Sequence, residues 1–191
     1  MQQMSRTMTL ASAAWPRPSV LRDSALVLTG SFLIALLAQL EIPMWPVPVT
    51  GQSAGVLLVG AALGARRGAL SLIAYLTEGA LGLPVFAGGA AGAAHLLGPT
   101  GGYLVGFVAA ALAVGYLCER GWDRKLWTSV AAMGLGTAVI FAFGLAGLTR
   151  FVTGDALFAS GLLPFISGAI VKILVAASVL PVVWRMLGRR A

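Results

Sequence analysis

The sequence predicts an all-α integral membrane protein with six transmembrane helices, both termini in the cytoplasm and a Gly/Pro-rich outer loop after the third helix. The first observation is composition: 59% of the 191 residues are hydrophobic and 10% are charged. Soluble domains are typically about 45–50% apolar and about 25% charged. A chain with so few charges could not cover a water-facing surface, so most of it is expected to face lipid.

The second observation is a series of six apolar stretches, at residues 21–40, 52–65, 68–81, 102–118, 126–148 and 162–187. The first, fifth and sixth are long enough to cross about 30 Å of hydrocarbon at about 1.5 Å per residue. The second and third are short and are joined by the basic turn at Arg66 and Arg67, which predicts a hairpin of two short helices. Residues 1–20 are expected to form a cytoplasmic segment before a single domain at 21–188.

The third observation is the distribution of Lys and Arg. On the six-span layout, eleven of the thirteen cations fall on one side, as the positive-inside rule requires. Those eleven are Arg6, Arg17, Arg22, Arg66, Arg67, Arg120, Arg124, Lys125, Arg185, Arg189 and Arg190. This pattern predicts a multi-pass protein of the cell (inner) membrane, and the scattered cations do not form a nucleic-acid-binding patch.

Two ionisable residues fall within predicted spans, where charges are costly and indicate function. Lys172 lies in the last span, and Glu78 lies near the outer end of the third. We expect ligand contacts, with the cation binding a carboxylate and Glu78 accepting from N–H donors. The alternatives are a mutual ion pair, or Lys172 extending its amine outward along its stem.

The outer segments supply further candidates. Thr50 and Gln52 stand where the second span begins; Gln52 suits an amide or ureido group, whereas Thr50 could simply cap the helix. Residues 82–101 form an apolar loop, which predicts a cover over a pocket. The alternative is a re-entrant structural plug. His95, the only histidine, is expected to pack within this loop.

Other features limit the functional class. Cys118 and His95 are each the only residue of their type, so the sequence predicts no disulfide and no Cys- or His-rich metal site. No phosphate-binding glycine loop and no catalytic constellation are present, so we expect neither an enzyme nor a bound cofactor. The small residues Ser31, Ala35 and Ala38 predict a close helix contact, either internal or with another subunit.

Four motifs together resemble those of the BioY family of biotin transporters. They are Pro46-Val47-Pro48-Val49-Thr50-Gly51-Gln52, Gly79-Ala80-Leu81-Gly82-Leu83-Pro84-Val85-Phe86 preceded by Tyr75, Leu97-Gly98-Pro99-Thr100-Gly101-Gly102-Tyr103, and Pro164-Phe165-Ile166-Ser167-Gly168 followed by Lys172. The resemblance runs from about residue 21 to the C-terminus.

The resemblance implies a high-affinity biotin-binding S component of an energy-coupling factor (ECF) transporter, which assembles with a transmembrane T component and two ABC ATPases. It implies ligand contacts from Lys172, Gln52, Tyr75, Glu78, Phe86 and the backbone near Gly88. The outer loop would be the gate. The Ser31, Ala35 and Ala38 face would meet the T component.

One departure concerns the last span, where the family usually has an acidic residue three positions before the lysine and this chain has Ala169. With no acid there, acceptors for biotin N–H groups would have to come from Gln52, Glu78 or backbone carbonyls. Two alternatives therefore stay open: an S component for another small carboxylate such as lipoate, and a solitary secondary carrier.

Overall fold

The computed structural model describes residues 8–188, which form nine α-helices and one two-stranded sheet. The helices are α1 (Leu10–Ala14), α2 (Val20–Ala38), α3 (Gln52–Leu63), α4 (Ala65–Ala80), α5 (Ala93–Leu96), α6 (Gly101–Glu119), α7 (Leu126–Leu148), α8 (Asp155–Gly161) and α9 (Leu163–Gly188). The antiparallel strands are β1 (Glu41–Ile42) and β2 (Val49–Thr50), with Glu41 opposite Thr50. Short 3₁₀ turns lie at Ala87–Gly89 and Trp122–Arg124.

Four segments are long and apolar enough to cross a membrane: α2, α6, α7 and the continuous stretch Asp155–Gly188, which contains α8 and α9. Helices α3 and α4 have 12 and 16 residues. At about 1.5 Å per residue they are shorter than the roughly 30 Å of hydrocarbon. The prediction of a mainly helical membrane protein is confirmed. Each of the six apolar stretches contains a helix, although length and hydropathy identify only four of them as spans on their own.

The hairpin of α3 and α4 turns within a single residue. Gly64 has φ +87°, a backbone conformation that favours glycine, and it ends α3 where α4 begins. A side chain at Gly64 would also meet Oε1 of Glu119. That carboxylate accepts a hydrogen bond from the N–H of Ala65 at 2.9 Å, so the end of α6 caps the start of α4.

Helix α6 lies at the centre and contacts α3, α4 and α7. Its approach to α7 is very close where α6 begins and α7 ends, because a Cβ on Gly102 would lie 2.6 Å from the carbonyl oxygen of Phe143 and 2.9 Å from Cα of Gly147. Small residues at a helix crossing permit this backbone contact in lipid. The crossing fixes the start of α6 and the end of α7, which form two walls of the cavity described below.

The segment before residue 21 contributes a helix to the packed domain. Leu10 of α1 is buried in a cluster with Leu57 and Val114. The guanidinium of Arg22 donates to the carbonyl oxygen of Trp15 at 2.8 Å, which holds this segment against the start of α2. The packed domain therefore begins before residue 21, where the sequence analysis placed its boundary.

The segments that carry the predicted inner cations meet at one end of the bundle. Asp23 lies 3.3 Å from Nε of Arg22 and 3.1 Å from Nε of Arg67, joining the starts of α2 and α4. At the same end, the indole N–H of Trp184 in α9 donates to Asp123 at 2.5 Å. Arg6, Arg189 and Arg190 lie outside the described residues.

Candidate ligand-binding site

A cavity lies at the other end, where α3 and α6 begin, and α7, α9 and the hairpin β1–β2 complete its walls. Its non-atom space, including the mouth, is about 790 Å³. Most of the wall is apolar and includes Val47, Val49, Leu57, Leu104, Phe107, Ile140, Phe141, Phe165 and Ala169. The polar side chains are those of Thr50, Gln52, Ser53, His95, Thr100, Tyr103, Thr137 and Lys172. An apolar pocket with a few placed polar groups is typical of small-molecule sites.

Lys172 is the only charged side chain on the cavity wall among the described residues. Its Nζ donates to the carbonyl oxygen of Thr50 at 2.6 Å and to Oγ of Ser53 at 3.1 Å. Within residues 8–188 no carboxylate lies within salt-bridge distance of Nζ. Since an ammonium has three N–H donors, one remains for a further acceptor. The cation is therefore half-buried, without a counter-ion, and suited to an anionic ligand group.

Gln52 presents a fixed amide to the cavity. Its Nε2 donates to the hydroxyl of Tyr75 at 2.5 Å, and its Oε1 accepts from the hydroxyl of Thr50 at 2.9 Å. Gln52 is 4% exposed and Tyr75 is fully buried, so both partners hold the amide away from solvent. The orientation of the amide is thus set before any ligand binds.

Residues 82–100, which we call the lid, cover the cavity between α4 and α6. Phe86 is fully buried, with its ring in an edge-to-face contact with Tyr75 at 5.5 Å and stacked on His95 at 5.0 Å. The His95 ring also lies 3.3 Å from the hydroxyl of Thr100, and burial lowers the pKa of His95. The apolar loop therefore packs over a pocket, as the sequence predicted for a cover.

Of the sequence-predicted ligand residues, five lie on the cavity wall: Thr50, Gln52, Phe86, Ala169 and Lys172. The other three are outside it. Tyr75 lies behind Gln52. Gly88 lies on the lid, where a side chain would come within 2.7 Å of the Glu41 carboxylate.

Glu78 is the third residue outside the cavity. Its Oε2 accepts from the hydroxyl of Ser31 at 2.6 Å, so it pairs with neither Lys172 nor the cavity. Ser31 and Ala38 are fully buried, and Ala35 packs against the core. The small-residue face of α2 is thus an internal contact in this structure, and its outer face presents Phe32 and Leu36 instead.

Several wall residues were not singled out from the sequence. Two of them are Ser53, the neighbour of Gln52, and Phe165, which lies four positions before the predicted Ala169 and shares one face of α9 with it and Lys172. Helical spacing from the predicted lysine could have found Phe165. Thr137 carries no such signal, because α7 is apolar on every side and its inward face cannot be read from periodicity.

Comparisons with known proteins agree with this geometry. A family model described as the BioY family matches residues 4–189. The probable biotin transporter BioY of Pyrococcus horikoshii is 42% identical over 151 residues, which are 79% of this chain and 89% of that protein. The biotin transporter BioY of Rhizobium etli is 39% identical over 165 residues, 80% of this chain and 88% of that one.

A solved structure has the same fold. The crystal structure of the S-component for biotin from an ECF-type ABC transporter matches with a TM-score of 0.74 and 25% sequence identity, covering 88% of this chain and 95% of that one. The family match covers almost the whole sequence, including the motifs around Thr50, the lid and Lys172. This multi-pass membrane protein therefore belongs to the BioY family.

Proposed function

We propose that the chain is a membrane-embedded biotin-binding S component, which captures biotin from the outer side and delivers it to the cytoplasm. The observation that carries the proposal is the Lys172 ammonium, which faces an apolar cavity, has no counter-ion within residues 8–188 and has one N–H donor left beyond its two hydrogen bonds there. A ligand with an apolar body and a single carboxylate is complementary to that arrangement. The biotin transporters among the relatives, and the biotin S-component with the same fold, favour biotin as that ligand.

We further propose six spans with both termini in the cytoplasm. The basic segments around Arg22, Arg67 and Arg124 gather at the end opposite the cavity. By the positive-inside rule this end faces the cytoplasm, so the cavity and its lid face outward. The short helices α3 and α4 count as spans in this arrangement, since the neighbouring α6 and α2 cover them.

We infer that a T component and two ABC ATPases supply the energy. The described residues include no phosphate-binding glycine loop, and the structural relative comes from an ECF-type ABC transporter. Biotin uptake by cells carrying this chain should therefore depend on co-expressed partner subunits. Proton-driven uptake into vesicles that contain this chain alone would instead support a solitary secondary carrier.

A second ligand class is favoured by Ala169. The described cavity wall contains no Asp or Glu, so no carboxylate accepts the two ureido N–H groups of biotin. A small carboxylate without a ureido ring, such as lipoate, would not need that acceptor.

Equilibrium binding to the purified chain in detergent separates the ligands. We expect biotin to bind most tightly, and biotin methyl ester, which lacks the negative charge, to bind about tenfold to 150-fold more weakly. If lipoate competes as well as biotin or better, lipoate rather than biotin is assigned as the ligand. A folded, monodisperse chain that binds none of these compounds would refute the proposed function.

A further inference from the structure

We propose that Tyr75 is a positioning residue that latches the lid to the cavity wall through its hydroxyl group, without contacting the ligand. This inference rests on the proposed function for its ligand, but the latch itself is a property of the free protein. Tyr75 is fully buried and is not on the cavity wall. The resemblance to known transporters implied a direct ligand contact for this residue, so the two roles make different predictions.

The hydroxyl of Tyr75 joins the lid to Gln52 at the start of α3. It donates to the carbonyl oxygen of Val85 in the lid at 3.1 Å and accepts from Nε2 of Gln52 on the cavity wall at 2.5 Å. A phenol has only one O–H to donate, and here the lid uses it. Tyr75 therefore has no donor left for a ligand, and both hydrogen bonds of its hydroxyl are made to the lid and to Gln52.

The ring of Tyr75 supports the same closed position. Phe86, the residue after Val85, packs edge-to-face on that ring and directly over Gly79, where an added Cβ would collide with the Phe86 ring. The lid backbone is held nearby, since the N–H of Gly92 donates to the carbonyl oxygen of Gly79 at 2.7 Å. Glycine at 79 thus makes room for the aromatic anchor that Tyr75 orients.

The hydrogen bonds of the latch extend to Lys172, the proposed carboxylate-binding residue. Gln52 accepts from Thr50, and the carbonyl oxygen of Thr50 accepts from Nζ of Lys172. Hydrogen bonds thus connect the lid to the ammonium through Tyr75, Gln52 and Thr50. A ligand that rearranges the contacts of Lys172 or Gln52 changes the same network that holds the lid, so ligand binding and lid closure are coupled.

The first test measures lid closure without ligand. A cysteine at Ala169, on the cavity wall under the lid, reports opening by its rate of reaction with a membrane-impermeant maleimide. The native Cys118 is fully buried and is removed by Cys118→Ala to give a clean background. We expect Tyr75→Phe to raise the labelling rate at 169 about threefold to tenfold, the factor expected when the lid loses its one neutral hydrogen bond to the Tyr75 hydroxyl. A cysteine at the exposed Thr153, outside the lid, should react at an unchanged rate.

Two further variants set the scale. Gly79→Ala should expel Phe86 and give the labelling rate of an open lid, without removing the Tyr75 hydroxyl. Tyr116→Phe makes the same chemical change at an exposed tyrosine on α6 and should have no effect. The latch is rejected if Gly79→Ala raises the labelling rate at position 169 while a folded Tyr75→Phe variant is labelled at the wild-type rate.

The second test measures biotin kinetics. With the latch, Tyr75→Phe should speed biotin dissociation about threefold to tenfold while changing the association rate less than about threefold. Weaker biotin binding with an unchanged labelling rate would instead make Tyr75 a ligand contact, and the latch would be rejected. If the wild type does not bind biotin, biotin is rejected as the ligand. The latch is still tested, because the labelling experiment uses no ligand.

Discussion

The prediction with the most direct basis in the structure is the effect of Lys172→Met. The substitution removes the cation and keeps an unbranched side chain that can lie against the same apolar wall. It also removes the hydrogen bonds to the carbonyl oxygen of Thr50 and to Ser53. Because a half-buried ammonium without a counter-ion is costly to desolvate, its loss offsets much of that change. We therefore expect the variant to fold with a nearly unchanged Tm.

The effect on binding is expected to be large. A hydrogen bond to a charged group contributes about 1.5–3 kcal/mol, and each 1.4 kcal/mol is about a tenfold change in Kd. Biotin should thus bind to Lys172→Met about tenfold to 150-fold more weakly than to the wild type. Biotin methyl ester has no carboxylate for the Lys172 ammonium to bind. Its affinity should therefore fall by less than about threefold when the ammonium is removed.

Isothermal titration with both ligands and both proteins completes a double-mutant cycle for the ammonium and the carboxylate. The matched control is Arg150→Met, which removes an exposed cation that is not on the cavity wall. The control should leave both affinities unchanged. The reasoning is refuted if Lys172→Met binds biotin like the wild type, or if the acid and the ester weaken equally.

Three other variants test separate parts of the molecule. Trp184→Phe should leave the fully buried Asp123 without its indole donor, costing about 2 kcal/mol and lowering Tm by about 4–8 °C, whereas Trp127→Phe at an exposed position should not. Burial lowers the pKa of His95, so the closed lid favours the neutral imidazole. Closure of the lid should therefore weaken as the pH falls below about 6.5. Biotin dissociation should then become faster in the wild type but not in His95→Gln. Thr137→Val removes a hydroxyl from the cavity wall and should weaken biotin about tenfold, with lipoate binding unchanged in the same competition assay.

Much of the helical framework follows from local sequence. The stretch 126–148 was predicted with the bounds that α7 has, because Lys125 ends the preceding polar turn and a long apolar run follows. The start of α3 at Gln52 and a short hairpin of α3 and α4 were also predicted. The position of the turn was wrong: Arg66 and Arg67, expected in the turn, lie in the first turn of α4, because Gly64 alone separates the two helices. These features depend on residues close together in the chain, for which hydropathy and glycine placement are direct signals.

Contacts between distant residues could not be predicted in the same way. Glu78 was expected to meet a ligand or Lys172, yet it accepts from Ser31, 47 positions away. The sequence also does not indicate which side of α2 faces the protein interior, because lipid-facing residues such as Phe32 are as apolar as core residues. Helix α1 was missed since only Leu10 of its five residues is large and apolar.

The hydroxyl groups of the cavity explain how a neutral ureido ring could bind without an acid at Ala169. The hydroxyl of Tyr103 donates to the carbonyl oxygen of Gly161 at 2.6 Å, that of Thr137 donates to the carbonyl oxygen of Met133 at 2.9 Å, and that of Thr50 donates to Gln52. Because the hydrogens of these three hydroxyls are already used, their oxygens can act toward the cavity only as acceptors. Two ureido N–H donors require such acceptors, while the one free N–H of Lys172 suits a carboxylate. We therefore expect these hydroxyl oxygens to accept from the ureido N–H groups in place of the missing acid. The Thr137→Val comparison of biotin with lipoate measures that contribution directly.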